Sequence, residues 1–121
     1  MKKHILIVDD EAEIRDLLAE FLAYRGYRTT VVPSAAEAQK TVISDPPQLI
    51  ISDLQLEDSD GLQMVEQLKL RLPDIPIMLL TGVFFDPEVV RDVLSKKVAS
   101  YLNKTAPLTQ ILSEVQRLIG N

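Results

Sequence analysis

Five side chains could do chemistry together: the carboxylates of Asp9, Asp10 and Asp53, the hydroxyl of Thr81 and the ammonium of Lys104. Each follows a short apolar run. "ILIV" leads into Asp9 and Asp10, "LIIS" into Asp53, "MLL" into Thr81 and Gly82, and "YLN" into Lys104. Three carboxylates brought into one crevice repel one another, which raises at least one pKa unless a cation is present. A hard divalent cation is the natural remedy. Mg²⁺, or Mn²⁺ in its place, takes oxygen ligands and keeps several waters, so one or two carboxylates suffice. Metal, ammonium and hydroxyl then make a place for an anion, and that inventory suits a phosphoryl group. There is no cysteine, and the one histidine, His4, precedes the first apolar run, so no serine or cysteine nucleophile is paired with a base. A carboxylate nucleophile that forms an aspartyl phosphate is the remaining covalent option.

These residues act together only if separate elements deliver them to one rim. Unbroken apolar runs at Ile5–Val8, Leu49–Ile51 and Ile77–Leu80 have the texture of strands covered on both faces, and Arg28–Val32 and Ser100–Leu102 are weaker strand candidates. Helical spacing fills the intervals. Ile14, Leu17, Leu18, Phe21 and Leu22 form a stripe that ends at Gly26. Ser34 and Glu37 have capping-box spacing at the head of a second helix, which stops before Pro46-Pro47. Leu62, Val65, Leu68 and Leu72 mark a third, Asp86-Pro87 opens a fourth, and Ile111, Leu112, Val115, Leu118 and Ile119 mark the last. Strand and helix thus alternate five times, the pattern of a parallel sheet with helices on both faces. In such α/β sheets, ligands bind beyond the carboxyl ends of the strands, which is where all five reactive side chains fall.

The 121 residues suit one domain, 1–121, without linker, repeat or low-complexity segment. The net charge of −5 and the absence of any basic stripe argue against direct nucleic-acid binding. No apolar run approaches the roughly 20 residues of a membrane span. Two lysines precede "HILIV", but that run is too short for a secretory signal. A cytoplasmic location is the expectation.

Each residue has a plainer reading when taken alone. Asp10 and Glu13 have capping-box spacing, so Asp10 reads as a helix cap, and Asp9 as a solvated acid. A threonine at a strand end and a lysine near a surface are ordinary. Asp53 could cap its loop. Glu57, Asp58 and Asp60, which follow Asp53, read as solvated surface.

In sequence order, "VDDE", "SDLQLEDSDG", "LLTG" and "YLNK" resemble the motifs of the receiver domain of two-component response regulators. The resemblance covers essentially the whole chain, with 43 positions from Asp10 to Asp53 and 28 from Asp53 to Thr81. It implies a three-layer, doubly wound (βα)5 fold of the flavodoxin-like kind, with a five-stranded parallel sheet in the order 2-1-3-4-5. It implies that Asp53 is the phospho-acceptor and that Asp9, Asp10, Asp53 and the backbone carbonyl of Gln55 hold Mg²⁺. Thr81, Gly82 and Lys104 would hold the phosphoryl oxygens. Thr81 and Tyr101 would form the switch that changes the face made by the fourth helix, fifth strand and fifth helix. The implied donor is a sensor histidine kinase or a phosphotransfer protein, which in the family meets the region of Ile14 and Thr105. For Ile14, a core place in its helix is the competing reading. A downstream protein target and a monomer, or a weak phosphorylation-dependent homodimer, complete the expectation. The role is that of a signalling module, not a turnover enzyme.

Four departures from the family pattern stand out. Glu57 replaces a common proline, Thr105 replaces the proline that usually follows the lysine through a cis bond, "KKVAS" replaces a Gly-Ala, and Thr81 to Lys104 spans 23 positions, about one more than the family's spacing. The adjacent Phe84 and Phe85 read either as core cover or as an apolar docking patch. Competing functions are a phosphorylation-independent interaction module, a flavin carrier and an aspartate-nucleophile phosphatase. The flavin reading lacks a Ser/Thr/Gly-rich loop after the first strand, where "DDEAE" stands instead. The phosphatase reading lacks the further acids and insertions that such enzymes carry.

Overall fold

The computed structural model describes residues 2–53, 56, 61–82 and 98–120, and at Gly61, Leu62 and Thr81 the backbone. Five strands, β1 (His4–Val8), β2 (Arg28–Val32), β3 (Leu49–Ser52), β4 (Ile77–Thr81) and β5 (Ser100–Asn103), pair in parallel in the order β2-β1-β3-β4-β5. That is the expected order. The described residues include four helices: α1 (Ala12–Tyr24), α2 (Ala35–Ser44), α3 (Gly61–Arg71) and a C-terminal helix (Leu108–Ile119). The helix expected from Asp86, the Phe84-Phe85 pair and Glu57, Asp58 and Asp60 lie outside the described residues.

The apolar strands sort their side chains by the two-residue period of the pleat. Leu6, Val8, Ile50, Ile77 and Leu79 join one apolar layer with Ala38 and Val42 of α2 and Met64, Val65 and Leu68 of α3. Ile5, Ile7, Leu49, Ile51, Met78 and Leu80 face the other layer, with Leu18 and Leu22 of α1 and Ile111, Leu112 and Val115 of the C-terminal helix. Both sheet faces are covered, which is why these strands read as continuous apolar runs.

Helix ends follow local chemistry. Gly26, with φ of 100°, ends α1, a backbone conformation that a side chain would strain. Ser34 Oγ accepts from Glu37 N–H at 3.2 Å, the expected cap of α2. The stripe on α1 is narrower than its sequence suggests. Leu18 and Leu22 are buried, but Leu17 is 55% exposed and points away from the core. Residues i and i+1 on a helix lie about 100° apart, so of the adjacent pair Leu17-Leu18 only one meets the sheet.

His4 does not precede the first strand; it is its first residue, and it is buried. Its Nε2 lies 2.7 Å from Thr30 Oγ1, and Asp45 stands 3.8 Å from Nδ1. Burial, helped by the neighbouring Arg28, lowers its pKa below the ordinary 6.5, against the opposing pull of Asp45. The unfolded chain therefore takes up a proton at a higher pH than the folded one. Stability supplied by neutral His4 is present above pH 6.5 and is lost as the pH falls through the folded value. Thermal denaturation followed between about pH 8 and pH 5 should show wild type losing more Tm than His4→Gln. Parallel curves would show that His4 contributes no such linkage.

Candidate functional site

The sheet carries three reactive side chains one residue past its strand ends. Asp9 N–H donates to Val32 O at 3.1 Å and Asp53 N–H to Val8 O at 3.1 Å, so the backbone ladder runs on into both acids. Ser52 Oγ–H donates to Asp53 O at 2.9 Å and pins that backbone further. Pleat parity then sets direction. Asp9 lies two residues past Ile7, Asp53 two past Ile51 and Lys104 two past Leu102, and all three preceding residues belong to the layer of α1 and the C-terminal helix.

Their side chains meet. Lys104 Nζ lies 2.8 Å from Asp53 Oδ2, 3.0 Å from Asp9 Oδ2 and 2.8 Å from Glu11 Oε1. The Lys104, Asp9 and Asp53 side chains are 6–7% exposed, whereas that of Glu11 is 59% exposed. The cluster is thus dry on the sheet side and open toward α1. Asp9 Oδ1 also accepts Glu11 N–H at 2.9 Å, and Arg15 Nη1 donates to Asp9 O at 3.2 Å.

Burial raises the Asp9 pKa above the ordinary carboxylate value. The Glu11 N–H and Lys104 oppose that rise, and the nearby Asp53 charge adds to it. Burial also works against the Lys104 ammonium, yet its bonds to Asp53, Glu11 and Asp9 together outweigh burial and hold its pKa above the ordinary value. One ammonium therefore neutralises the pocket only in part.

Asp10 is exposed and does not cap α1. The N-cap is Glu11, and it makes no side-chain cap hydrogen bond. One oxygen from each of Asp9, Asp10, Glu11 and Asp53 falls within a set whose members all lie within 4.8 Å of one another. A hard divalent cation fits this all-oxygen, net-negative donor set, to which Asp9, Asp10 and Asp53 bring the acids expected from sequence.

The remaining expected residues are placed as follows. Thr81 ends β4 in register with Asn103 of β5, the residue before Lys104. Gly82 lies along the lysine stem, where a Cβ would stand 3.9 Å from Lys104 Cδ. Tyr101 is 36% exposed on β5 and pairs with Leu79. Ile14 is half-buried on α1 near the rim, and Thr105 is exposed beside Lys104. The Gln55 carbonyl lies outside the described residues. No peptide bond among the described residues is cis, so the bond from Lys104 to Thr105 is trans.

Two further residues of the site, Glu11 and Asn103, carry no role in the sequence pattern. Glu11, the last residue of "VDDE", follows the acid pair directly and shares Lys104 with Asp9. Asn103 lies just past the expected strand Ser100–Leu102 and extends it by one residue; an Asn beside a functional residue is a recognisable turn signal.

A family model described as "Response regulator receiver domain" matches residues 5–116. Response regulator MprA of Mycobacterium ulcerans is 30% identical over 126 aligned positions, which cover 98% of this chain and 51% of that protein. The chain therefore spans about half the length of the curated relatives it matches. Among solved structures, the non-phosphorylated HemR receiver domain of Leptospira biflexa superposes with a TM-score of 0.88 at 26% identity, covering 99% of this chain and 96% of that one. A response regulator of Burkholderia pseudomallei, solved with a phosphorylated aspartic acid, calcium ion and citrate, superposes at 0.82 with 29% identity, covering 96% of this chain and 72% of that one. The strand order, the acid-lined rim and the match from Ile5 to Gln116 agree on one assignment: this chain belongs to the response regulator receiver domain family.

Proposed function

We propose that this receiver domain, residues 1–121, accepts a phosphoryl group on Asp53 from a phosphohistidine of a sensor kinase or phosphotransfer protein. The observation that carries this reading is the setting of Asp53: 5% exposed, held by the β-ladder, and 2.8 Å from the Lys104 ammonium in a pocket of four acids. A carboxylate oxygen of Asp53 attacks phosphorus, the P–N bond of the phosphohistidine breaks, and the imidazole leaves with the bond's electron pair. An aspartyl phosphate remains. Such transfer needs positioning and charge neutralisation above all. Asp9 and Asp10, with Asp53 and the Gln55 carbonyl, would hold Mg²⁺ or Mn²⁺, which when bound supplies positive charge to the transferring oxygens. Lys104 and the Thr81 hydroxyl hold the phosphoryl group, with Gly82 beside the lysine stem.

The product is the signal. A phosphoryl group adds charge that draws Thr81 and Lys104 inward, and Tyr101, one pleat from Thr81, follows. The face that includes β5 and the C-terminal helix then changes what it offers to a downstream protein, or to a second copy in a weak homodimer. Docking of the phosphodonor near Ile14 and Thr105 places its histidine over the open side of the cluster. Among the described residues no helix is long and apolar enough to cross a membrane, which accords with the cytoplasmic location proposed here.

Intact mass after incubation with acetyl phosphate and Mg²⁺ tests the reading. Wild type should gain one phosphoryl adduct and Asp53→Asn none. Mg²⁺ binding without an adduct from any donor would instead favour a phosphorylation-independent interaction module. A second measurement concerns the buried charge of Asp9, whose folded pKa is raised. Its stabilising share is present only below the unfolded value, and its ionisation works against folding at neutral pH. Asp9→Asn should therefore raise the Tm by a few degrees in EDTA and abolish most of the further rise that Mg²⁺ gives wild type. An unchanged Mg²⁺ response would remove Asp9 from the metal site.

A further inference from the structure

Lys104 reaches the acid pocket from a turn that has no proline to stiffen it. β5 ends at Asn103, whose carbonyl accepts Ala106 N–H at 2.9 Å and closes a four-residue turn around Lys104 and Thr105. The Asn103 side chain closes the same turn again. Its Oδ1 accepts Thr105 N–H at 2.9 Å and Thr105 Oγ1–H at 2.8 Å. Three hydrogen bonds thus converge on the residue immediately before the lysine, and two of them span it from a single side-chain oxygen. Asn side chains favour such a link, because their carbonyl mimics the turning backbone two residues on.

This link has a direct geometric consequence. Asn103 is itself held in register with Thr81, so the turn is anchored to the sheet and Lys104 leaves it at a fixed place and angle. A long, flexible stem would otherwise sample many rotamers, and its ammonium would divide its time between water and the acids. Here the ammonium lies within 3.0 Å of both Asp53 and Asp9. An amide also supplies the acceptor without adding a further carboxylate to a pocket that already holds four.

We propose that Asn103 is the positioning residue of this site: its side chain clamps the turn that aims Lys104 at Asp53 and Asp9. The expected effect on phosphoryl transfer rests on the function proposed above. The effect on metal affinity does not. Lys104 and a cation compete for the same two carboxylates, so a Lys104 that is no longer aimed leaves Asp9 and Asp53 freer to bind metal. Loosening the clamp therefore has effects of opposite sign, tighter Mg²⁺ and slower transfer, whereas general damage to the rim weakens both.

The test compares wild type, Asn103→Ala, Asn103→Ser, Lys104→Ala and the Asn103→Ala/Lys104→Ala double variant in the intact chain. Mg²⁺ is titrated alone, followed by amide NMR shifts, and adduct formation from acetyl phosphate at saturating Mg²⁺ is followed by mass. Asn103→Ala should bind Mg²⁺ about three- to tenfold more tightly and form the adduct several-fold more slowly, in line with loss of one partly screened charge from the pocket. Asn103→Ser keeps an acceptor oxygen and should return both values toward wild type. In the Lys104→Ala background, Asn103→Ala should add nothing to Mg²⁺ affinity, because the two residues act through one contact. Unchanged or weaker Mg²⁺ binding by Asn103→Ala overturns the proposal, as does an additive double variant. If wild type forms no adduct, the phosphoryl-acceptor reading fails, and the Mg²⁺ titrations still decide the role of Asn103.

Discussion

The ammonium of Lys104 stands between carboxylates that arrive on separate segments of chain, Asp9 and Glu11 from the end of β1 and Asp53 from the end of β3. Desolvating such charges is costly, and their mutual attraction offsets that cost only where geometry is close and further hydrogen bonds satisfy the remaining lone pairs. Burial raises the Asp9 pKa against the opposing pull of the Glu11 N–H and Lys104. Four carboxylates around one ammonium leave the pocket with an excess of negative charge.

Everything beneath the rim serves to hold that cluster in place. The ladder bonds of Asp9 and Asp53 prolong the sheet by one residue at each strand, so these acids move only if the sheet moves. The sheet in turn is clamped between two apolar layers, both almost wholly closed to water. Period-two alternation turns the three reactive side chains toward the layer that contains α1, whose N-cap Glu11 meets Lys104 and whose Arg15 donates to the backbone carbonyl of Asp9. The opposite end of the sheet is organised by different bonds. His4 meets Thr30, Tyr27 Oη–H donates to Gly120 O at 2.7 Å, and Lys3 Nζ donates to Ile119 O, so the end of the C-terminal helix is tied to β1 and to the segment before β2.

Much of the fold was legible because its signals are local and repeated. Continuous apolar runs marked β1, β3 and β4, and Ser34 with Glu37 marked the start of α2. The misses arose where two local readings competed. Asp10 and Glu13 have capping-box spacing, but Glu11 takes the N-cap position with its N–H held by the Asp9 carboxylate, and the helix starts one residue later with Asp10 in solvent. Leu17 has the spacing of the core stripe, yet the sheet covers only the sector occupied by Leu18 and Leu22. Asn103 was hidden because its acceptors and donors matter only once the chain turns at Lys104.

Sequence alone determined which chemical groups follow which strands, because an apolar run and the residue that ends it are neighbours in the chain. Asp9, Asp10, Asp53, Thr81 and Lys104 could be named on that basis, and with them the family and the sheet. The tertiary structure decided which acids share the lysine, that Glu11 is among them while Asp10 stays in solvent, and that an asparagine closes the turn from which the lysine departs. Those outcomes depend on distances between segments up to 95 positions apart, and no local preference encodes them. They follow from how the pleat directs each side chain and from how charges settle once water has been excluded.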